Sequence, residues 1–214
     1  MKATQNQPGN GSIKADSLFY QGEMYTSSDN TAKALIYYKA AERIARTVSQ
    51  HDTVINCLLK QVKLYLQMRN YQKAINKSRE GLAYSRLLSR SDDELNFFHL
   101  QVQSLRLSNK LDEAIEITFQ GMELATEIKN TDFESNFIAE LAEISLLKNE
   151  VKKALSQATS ILRRAILFND STKIPVLSSL VDRIYSAIEA KELKSKVSVA
   201  LKNLPPLQAQ YSAS

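Results

Sequence analysis

Three asparagines recur where a helix has little use for them. The chain reads HDTVIN at 51–56, SDDELN at 91–96 and TDFESN at 131–136, so Asn56, Asn96 and Asn136 stand forty residues apart. Asp52, Asp92 and Asp132 explain themselves as helix caps. An Asn four positions further on is a poor helix former, and its return needs a reason. Its carboxamide carries a donor and an acceptor, and a peptide main chain presents that same pair at regular intervals. A ladder of Asn could therefore hold an extended peptide without reading its side chains. Each hydrogen bond would contribute roughly 0.5–1.5 kcal/mol. The repetition suits a structural use equally well, each amide bonding a neighbouring repeat's backbone and fixing the stacking. Asp16 and Val176 hold the corresponding places in the first and fifth units, which confines the ladder to the middle three.

Catalytic chemistry finds few candidates. The two histidines are His51, in an expected turn, and His99, which reads as part of a polar wall. No Cys/His spacing suits zinc, and the glycines form neither a phosphate loop nor a dinucleotide fingerprint. Glu140 and Glu143 lie one turn apart, but a paired-carboxylate catalyst also needs a closed pocket. Cys57 reads as a small core residue. Tyr37 and Tyr38 make no stacking platform, since Tyr38 falls on a packing stripe. The chain is expected to be non-enzymatic, with no metal and no cofactor.

The elements that must position these residues are helices. The chain has 214 residues, no Trp, only 5 Gly and 4 Pro, and 7% aromatic content. That composition suits long helices and disfavours a β-sandwich. The net charge of +5 is spread out, with a loose basic end at Lys194, Lys196 and Lys202. A single cysteine excludes an internal disulfide and fits a reducing compartment. No apolar run approaches the ~18 residues of a membrane span, and a secretion signal is missing, so a cytoplasmic location is expected.

A period of forty organises the chain. Ala34, Ala74, Ala114 and Ala154 are followed seven residues on by Ala41, Gly81, Gly121 and Ile161, and eleven on by Ala45, Ser85, Ala125 and Ala165. These offsets trace one helical stripe of small residues, against which a second helix can pack closely. A second stripe, including Leu18, Leu58, Phe98 and Ile138, precedes each Ala by sixteen, with short polar turns at 27–30, 68–70, 108–110 and 148–150 between the two. Each unit is thus an antiparallel helix pair. Repeats fall near 15–54, 55–94, 95–134 and 135–173. A capping pair at 174–203 follows, with one helix from Pro175 to about Ala190 and a shorter one from Glu192 to Asn203. Residues 1–14 read as a flexible lead and 204–214 as a disordered tail.

Leu18, Gly22, Tyr25, Ala34, Tyr38 and Ala41 resemble the tetratricopeptide repeat (TPR) at matching spacings. The second unit matches through Leu58, Tyr65, Ala74 and Gly81, the third through Phe98, Ala114 and Gly121, and the fourth through Ile138, Ala142 and Ala154. The period exceeds the usual ~34 and resembles the long variant of kinesin light chains, peptide-pheromone receptors and bacterial sensor regions. The resemblance implies an all-α, right-handed superhelix of about five helix pairs, whose first helices line a concave groove. It places Asn56, Asn96, Asn136, Lys60, Lys63, His99, Gln103, Arg106, Glu140 and Glu143 on that groove. Asn ladders serve peptide binding in such proteins. The expected partner is a protein or peptide, bound as an extended segment or a helix. A sensor region of a bacterial signalling enzyme or transcription regulator is the second reading, and RNA binding through basic faces the third. A membrane is not expected as a partner, and a homo-oligomer is left open.

Overall fold

The structure, a computed structural model, describes residues 8–202, and side chains from 11 to 196. Among them are nine helices: α1 Pro8–Ser27, α2 Thr31–Thr47, α3 His51–Gln67, α4 Tyr71–Leu87, α5 Ser91–Leu107, α6 Leu111–Glu127, α7 Thr131–Leu147, α8 Val151–Leu167 and α9 Lys173–Lys202. Each helix from α2 to α8 has 17 residues.

One device ends every helix from α1 to α8. A single residue adopts a left-handed conformation at Asp29, Ser49, Arg69, Ser89, Asn109, Lys129, Asn149 and Asn169, twenty apart throughout. In the turn at Asp29, the next N–H, of Asn30, reaches back to the Tyr25 carbonyl at 2.8 Å while Asp29 N–H reaches Thr26. Paired bonds of this kind satisfy the last carbonyls of a helix. The residue after the left-handed one then caps the following helix. The side chains of Asn30, Asn70 and Asn130 accept from the N–H groups of Lys33, Lys73 and Phe133. Caps at Asp52 and Asp92 are therefore not formed. Gln50 and Arg90 hold the cap positions of α3 and α5, and both aspartates lie inside the first turn. They clasp the next repeat instead, Asp52 to Arg90 and Asp92 Oδ1 to Asn130 Nδ2 at 3.1 Å.

Two boundaries differ from expectation. α1 begins at Pro8, so residues 8–14 are helical and not a flexible lead. Pro8 suits a first helical position, where its missing N–H costs nothing. The capping pair at 174–203 is a single 30-residue helix, α9. Position 189, where the period would place a left-handed residue, is Glu189, and the surrounding IEAKELKSK is made largely of good helix formers. Among the described residues, one long helix thus stands where a fifth pair was expected. Residues 1–7 of the lead and the tail from 203 lie outside the described residues.

The chain divides into two compact units, one ending at Ile144 and the other starting at Ser145. In the first unit, α1 touches α3 and α3 touches α5, whereas α2, α4 and α6 do not approach one another as closely among the described residues. Long ion pairs bridge that wider layer, Arg46 to Glu80 at 2.8 Å and Arg79 to Glu113 at 3.8 Å. α1, α3 and α5 thus form the more closely packed layer of this unit.

The small-residue stripes are the contact between successive pairs. Ala34, Ala41 and Ala45, Ala74, Gly81 and Ser85, and Ala114, Gly121 and Ala125 are all buried. A methyl group on Gly81 would overlap the Phe97 ring, and one on Gly121 the Phe137 ring. Cys57, forty residues before Phe97, packs with Ala41. Partner volumes are thus matched: Ala where the knob is Cys, Gly where it is Phe. In the second unit α9 lies on α8, with Leu177, Leu180, Val181 and Ile184 buried.

Candidate functional site

All ten expected site residues lie on α3, α5 and α7 within the first unit. Asn56, Lys60 and Lys63 follow one another at helical spacing on α3. Asn96, His99, Gln103 and Arg106 do so on α5, and Asn136, Glu140 and Glu143 on α7. Asn56 is exposed; Asn96 and Asn136 are half-buried. Asn96 Nδ2 donates to the Asp92 carbonyl of its own helix at 3.0 Å. Asn56 and Asn136 make no side-chain hydrogen bond among the described residues, and none of the three bonds a neighbouring repeat's backbone. On α1 the equivalent Asp16 does bind its neighbour, accepting from Gln50 Nε2 at 2.6 Å and Thr53 Oγ1 at 3.0 Å.

Two buttressed clusters hold most of the charged residues, and Lys63 adds its positive charge near Glu23. Lys60 Nζ lies 2.8 Å from Glu23 Oε2, and the Tyr38 hydroxyl donates to the other carboxylate oxygen. Burial opposes ionisation of Glu23, but the bonds from Lys60 and Tyr38 outweigh it and hold the carboxyl below its ordinary range. Burial, then Glu23, pushes the Tyr38 phenol well up. Further along, Arg106 Nε donates to Glu140 Oε2 at 2.7 Å, and His99 Nε2 lies 3.3 Å from Oε1. Gln103 Nε2 is 3.2 Å from the same His99 nitrogen. A protonated Nε2 donates to the carboxylate, and an unprotonated one accepts from the amide. Glu140 is only 6% exposed. Desolvation would raise its pKa, yet His99 and Arg106 bring it below the usual value. The His99 ring stands edge-on to Phe133 and Phe137, with centroids 6.3 and 6.0 Å away. Lys63 is exposed and forms no ion pair or hydrogen bond among the described residues.

Among the described residues no group of three or more His, Cys, Asp or Glu could hold a metal. Burial, ahead of Glu42, Asp16 and Glu23, pushes the Cys57 thiol up to about 12, and the side chain is fully buried, which disfavours the thiolate. His51 opens α3 and does not sit in a turn. It is exposed, with Nδ1 2.8 Å from the Tyr84 hydroxyl. Sequence reasoning missed the Glu23–Tyr38 contact, which no periodicity announces. It also missed Phe97 and Phe137, which the forty-residue column through Cys57 would have exposed.

The fold defines the class: a TPR-like α-solenoid, in which consecutive antiparallel helix pairs stack through small-residue stripes. No model of a known protein family matches the chain, and no curated protein matches it. Solved structures do. The apo form of RapI superposes with a TM-score of 0.71 at 16% identity, over 89% of this chain and 52% of that one. A STAND-type signal transduction ATPase with a tetratricopeptide repeat sensor, from Pyrococcus horikoshii, gives 0.73 at 14%, over 92% and 32%. A Rap conjugation gene regulator of plasmid pLS20, in complex with the Phr* peptide, gives 0.67 at 15%, over 95% and 60%. The chain thus spans about half the length of the first of these and about a third of the second. Among the described residues, no helix is long and apolar enough to cross a membrane.

Proposed function

We propose that the chain is a non-enzymatic, cytoplasmic regulatory scaffold that holds an extended peptide along the inner faces of α3, α5 and α7. The observation that carries this reading is the amide column. Asn56 and Asn136 offer unspent donors and acceptors on the first helices of their pairs, and Asn96 spends only one donor, on its own helix. The flanking charges support a peptide of mixed charge over a polyanion, because Lys60 and Arg106 are already neutralised by Glu23 and Glu140. The likeness to a regulator seen with a bound peptide supports the same reading. Residues Lys60, His99, Gln103, Arg106, Glu140 and Glu143 would shape the walls, and Lys63 would meet an acidic side chain of the peptide.

Display of a random peptide library tests it. Wild-type protein should enrich peptides that the Asn56→Ala/Asn96→Ala/Asn136→Ala variant does not retain, at an unchanged melting temperature. If the triple variant keeps the same peptides, or melts early while still binding, the amides serve stacking and the reading fails. A second reading, a sensor region of a longer signalling regulator, draws on the fraction of RapI and of the STAND ATPase that this chain spans. The reading frame around the gene decides it. RNA binding would show as affinity that collapses between low and moderate salt.

A further inference from the structure

The basic surplus that reads as spread along the sequence is gathered in the second unit. Residues 1–144 carry 17 Lys and Arg against 18 Asp and Glu, and residues 145–196 carry 10 against 5. α8 holds Lys152, Lys153, Arg163 and Arg164 and no acid, whereas α6 holds five acids and no Lys or Arg. Lys152, Ser156, Ser160, Arg163 and Leu167 follow one another at helical spacing on α8, and all five are exposed. The same end of α8 is apolar: Ile166, Leu167 and its C-cap Phe168 are 57%, 77% and 77% exposed. Across the turn, Val176 in the first turn of α9 is exposed as well. At the other end, Lys191 of α9 joins Lys152 and Lys153 around a cleft of about 470 Å³. Glu150 is the one acid lining it and pairs with Lys153 at 3.4 Å. The exposure of Ile166 and Leu167 belongs to their place in the repeat. Arg46 and Thr47, Arg86 and Leu87, and Thr126 and Glu127 hold the same two positions and are exposed, although α4 has a helix pair on each side. Only in α8 are both positions apolar.

We propose that α8 lays the second unit on an anionic lipid bilayer, with Ile166, Leu167 and Phe168 in the interface and Lys152, Arg163 and Lys191 at the headgroups. Successive residues of a helix point about 100° apart, so the three apolar side chains fan round the end of α8. A protein partner would need a socket shaped to enclose that corner, whereas a fluid interface surrounds it without one. A nucleic acid would use the cations, but Ile166 and Leu167 have no ring on which a base could stack. An anionic bilayer uses both features. Apolar side chains enter the boundary between headgroups and acyl chains, and Lys and Arg beside them meet the negative surface. A membrane is not expected from the sequence, because no segment is long and apolar enough to span one; this bilayer is touched and not crossed. The face lies on the second unit, apart from the amide column on α3, α5 and α7, and does not depend on the peptide reading.

The probes are vesicles of phosphatidylcholine alone and of equal parts phosphatidylcholine and phosphatidylglycerol, sedimented with the full chain. Wild type should bind the mixed vesicles and leave the neutral ones. Ile166→Ser/Leu167→Ser keeps the charge and should weaken binding by about tenfold or more. Lys152→Gln/Arg163→Gln should weaken it too, and should flatten its dependence on salt. All four positions are exposed, so both variants should keep the wild-type melting temperature. The chain has no Trp, so Leu167→Trp sets a single reporter at the tip. Its emission should move to the blue on mixed vesicles. Four results would overturn the proposal. Wild type could ignore mixed vesicles. The Ser variant could bind them as wild type does, which would leave attraction by charge alone. The Trp emission could stay unchanged while the protein is bound. A single-stranded RNA could strip wild type from the vesicles and bind the Ser variant equally well, which would make the face a nucleic-acid surface.

Discussion

Gly81 sits inside α4 because the Phe97 ring fills the space a side chain would take. Gly costs about 1 kcal/mol against Ala in a helix interior, so Gly81→Ala would stabilise a free helix. Here overpacking wins, and the substitution should destabilise the protein by about 1–3 kcal/mol in urea unfolding. Phe97→Cys leaves a cavity and should cost a comparable or larger amount. The double substitution recreates the Ala41–Cys57 pair of the preceding junction. It should therefore cost less than the two single changes summed, by about 1 kcal/mol. Strict additivity would show that the two sites do not share one space. Glu140 gives a second residue-scale expectation. Its carboxyl is held below the ordinary value, with desolvation outweighed by His99 and Arg106. A depressed carboxylate adds stability above its unfolded pKa of about 4.3 and loses it as pH falls through the folded value. Glu140→Gln should thus lower stability at pH 7 by about 1–3 kcal/mol. The gap to wild type should narrow below pH ~4. A gap that is constant down to pH ~2 would rule out this ion pair as its source.

At the scale of the element, the turns carry a cost that the sequence leaves in place. Among the described residues, eight adopt the left-handed conformation and none of them is Gly. Asp29, Asn109, Asn149 and Asn169 tolerate it, but Arg69 and Lys129 have no such excuse. A non-Gly residue there costs roughly 1–2 kcal/mol, part of which Gly gives back as unfolded-state entropy. Arg69→Gly and Lys129→Gly should each stabilise the fold by about 0.5–1 kcal/mol, with the midpoint of denaturation as readout. Asn109→Gly should do less, because Asn already visits this region. Equal gains at all three would mean that strain at the turn is not the cause.

At the scale of the molecule, each pair leans only on its neighbours, so protection should fall toward the ends of the array. In hydrogen exchange, amides of α3, α4 and α5 should be the slowest. Those of α1, ahead of which no other helix is described, and of the last turns of α9 should exchange first. Uniform protection from α1 to α6 would show that the first unit opens all at once and does not behave as a stack. Peptide binding should slow α3, α5 and α7 selectively.

The sequence by itself determined the helices, the forty-residue period and the small-residue stripes, because packing two helices closely leaves a mark at fixed spacing that no other fold explains. It placed Ala34, Gly81 and Gly121 in their junctions without coordinates, and it located Asn56, Asn96 and Asn136 on first helices. Helix ends were less legible. Asp52 and Asp92 look like caps, yet the cap falls two residues earlier and their carboxylates reach across to Arg90 and Asn130, a contact 38 residues away in the chain. A helix ending near Ala190 and a second from Glu192 are expected from the sequence, but local helix propensity carries α9 straight through. Only the tertiary structure decided which charges are spent. Glu23 meets Lys60 and Glu140 meets Arg106 because the inner helices approach closely, and a distance between helices is not written in the spacing along any one of them. The same holds for Met24, whose column is buried in the three later repeats and is exposed here because α1 has no described helix ahead of it.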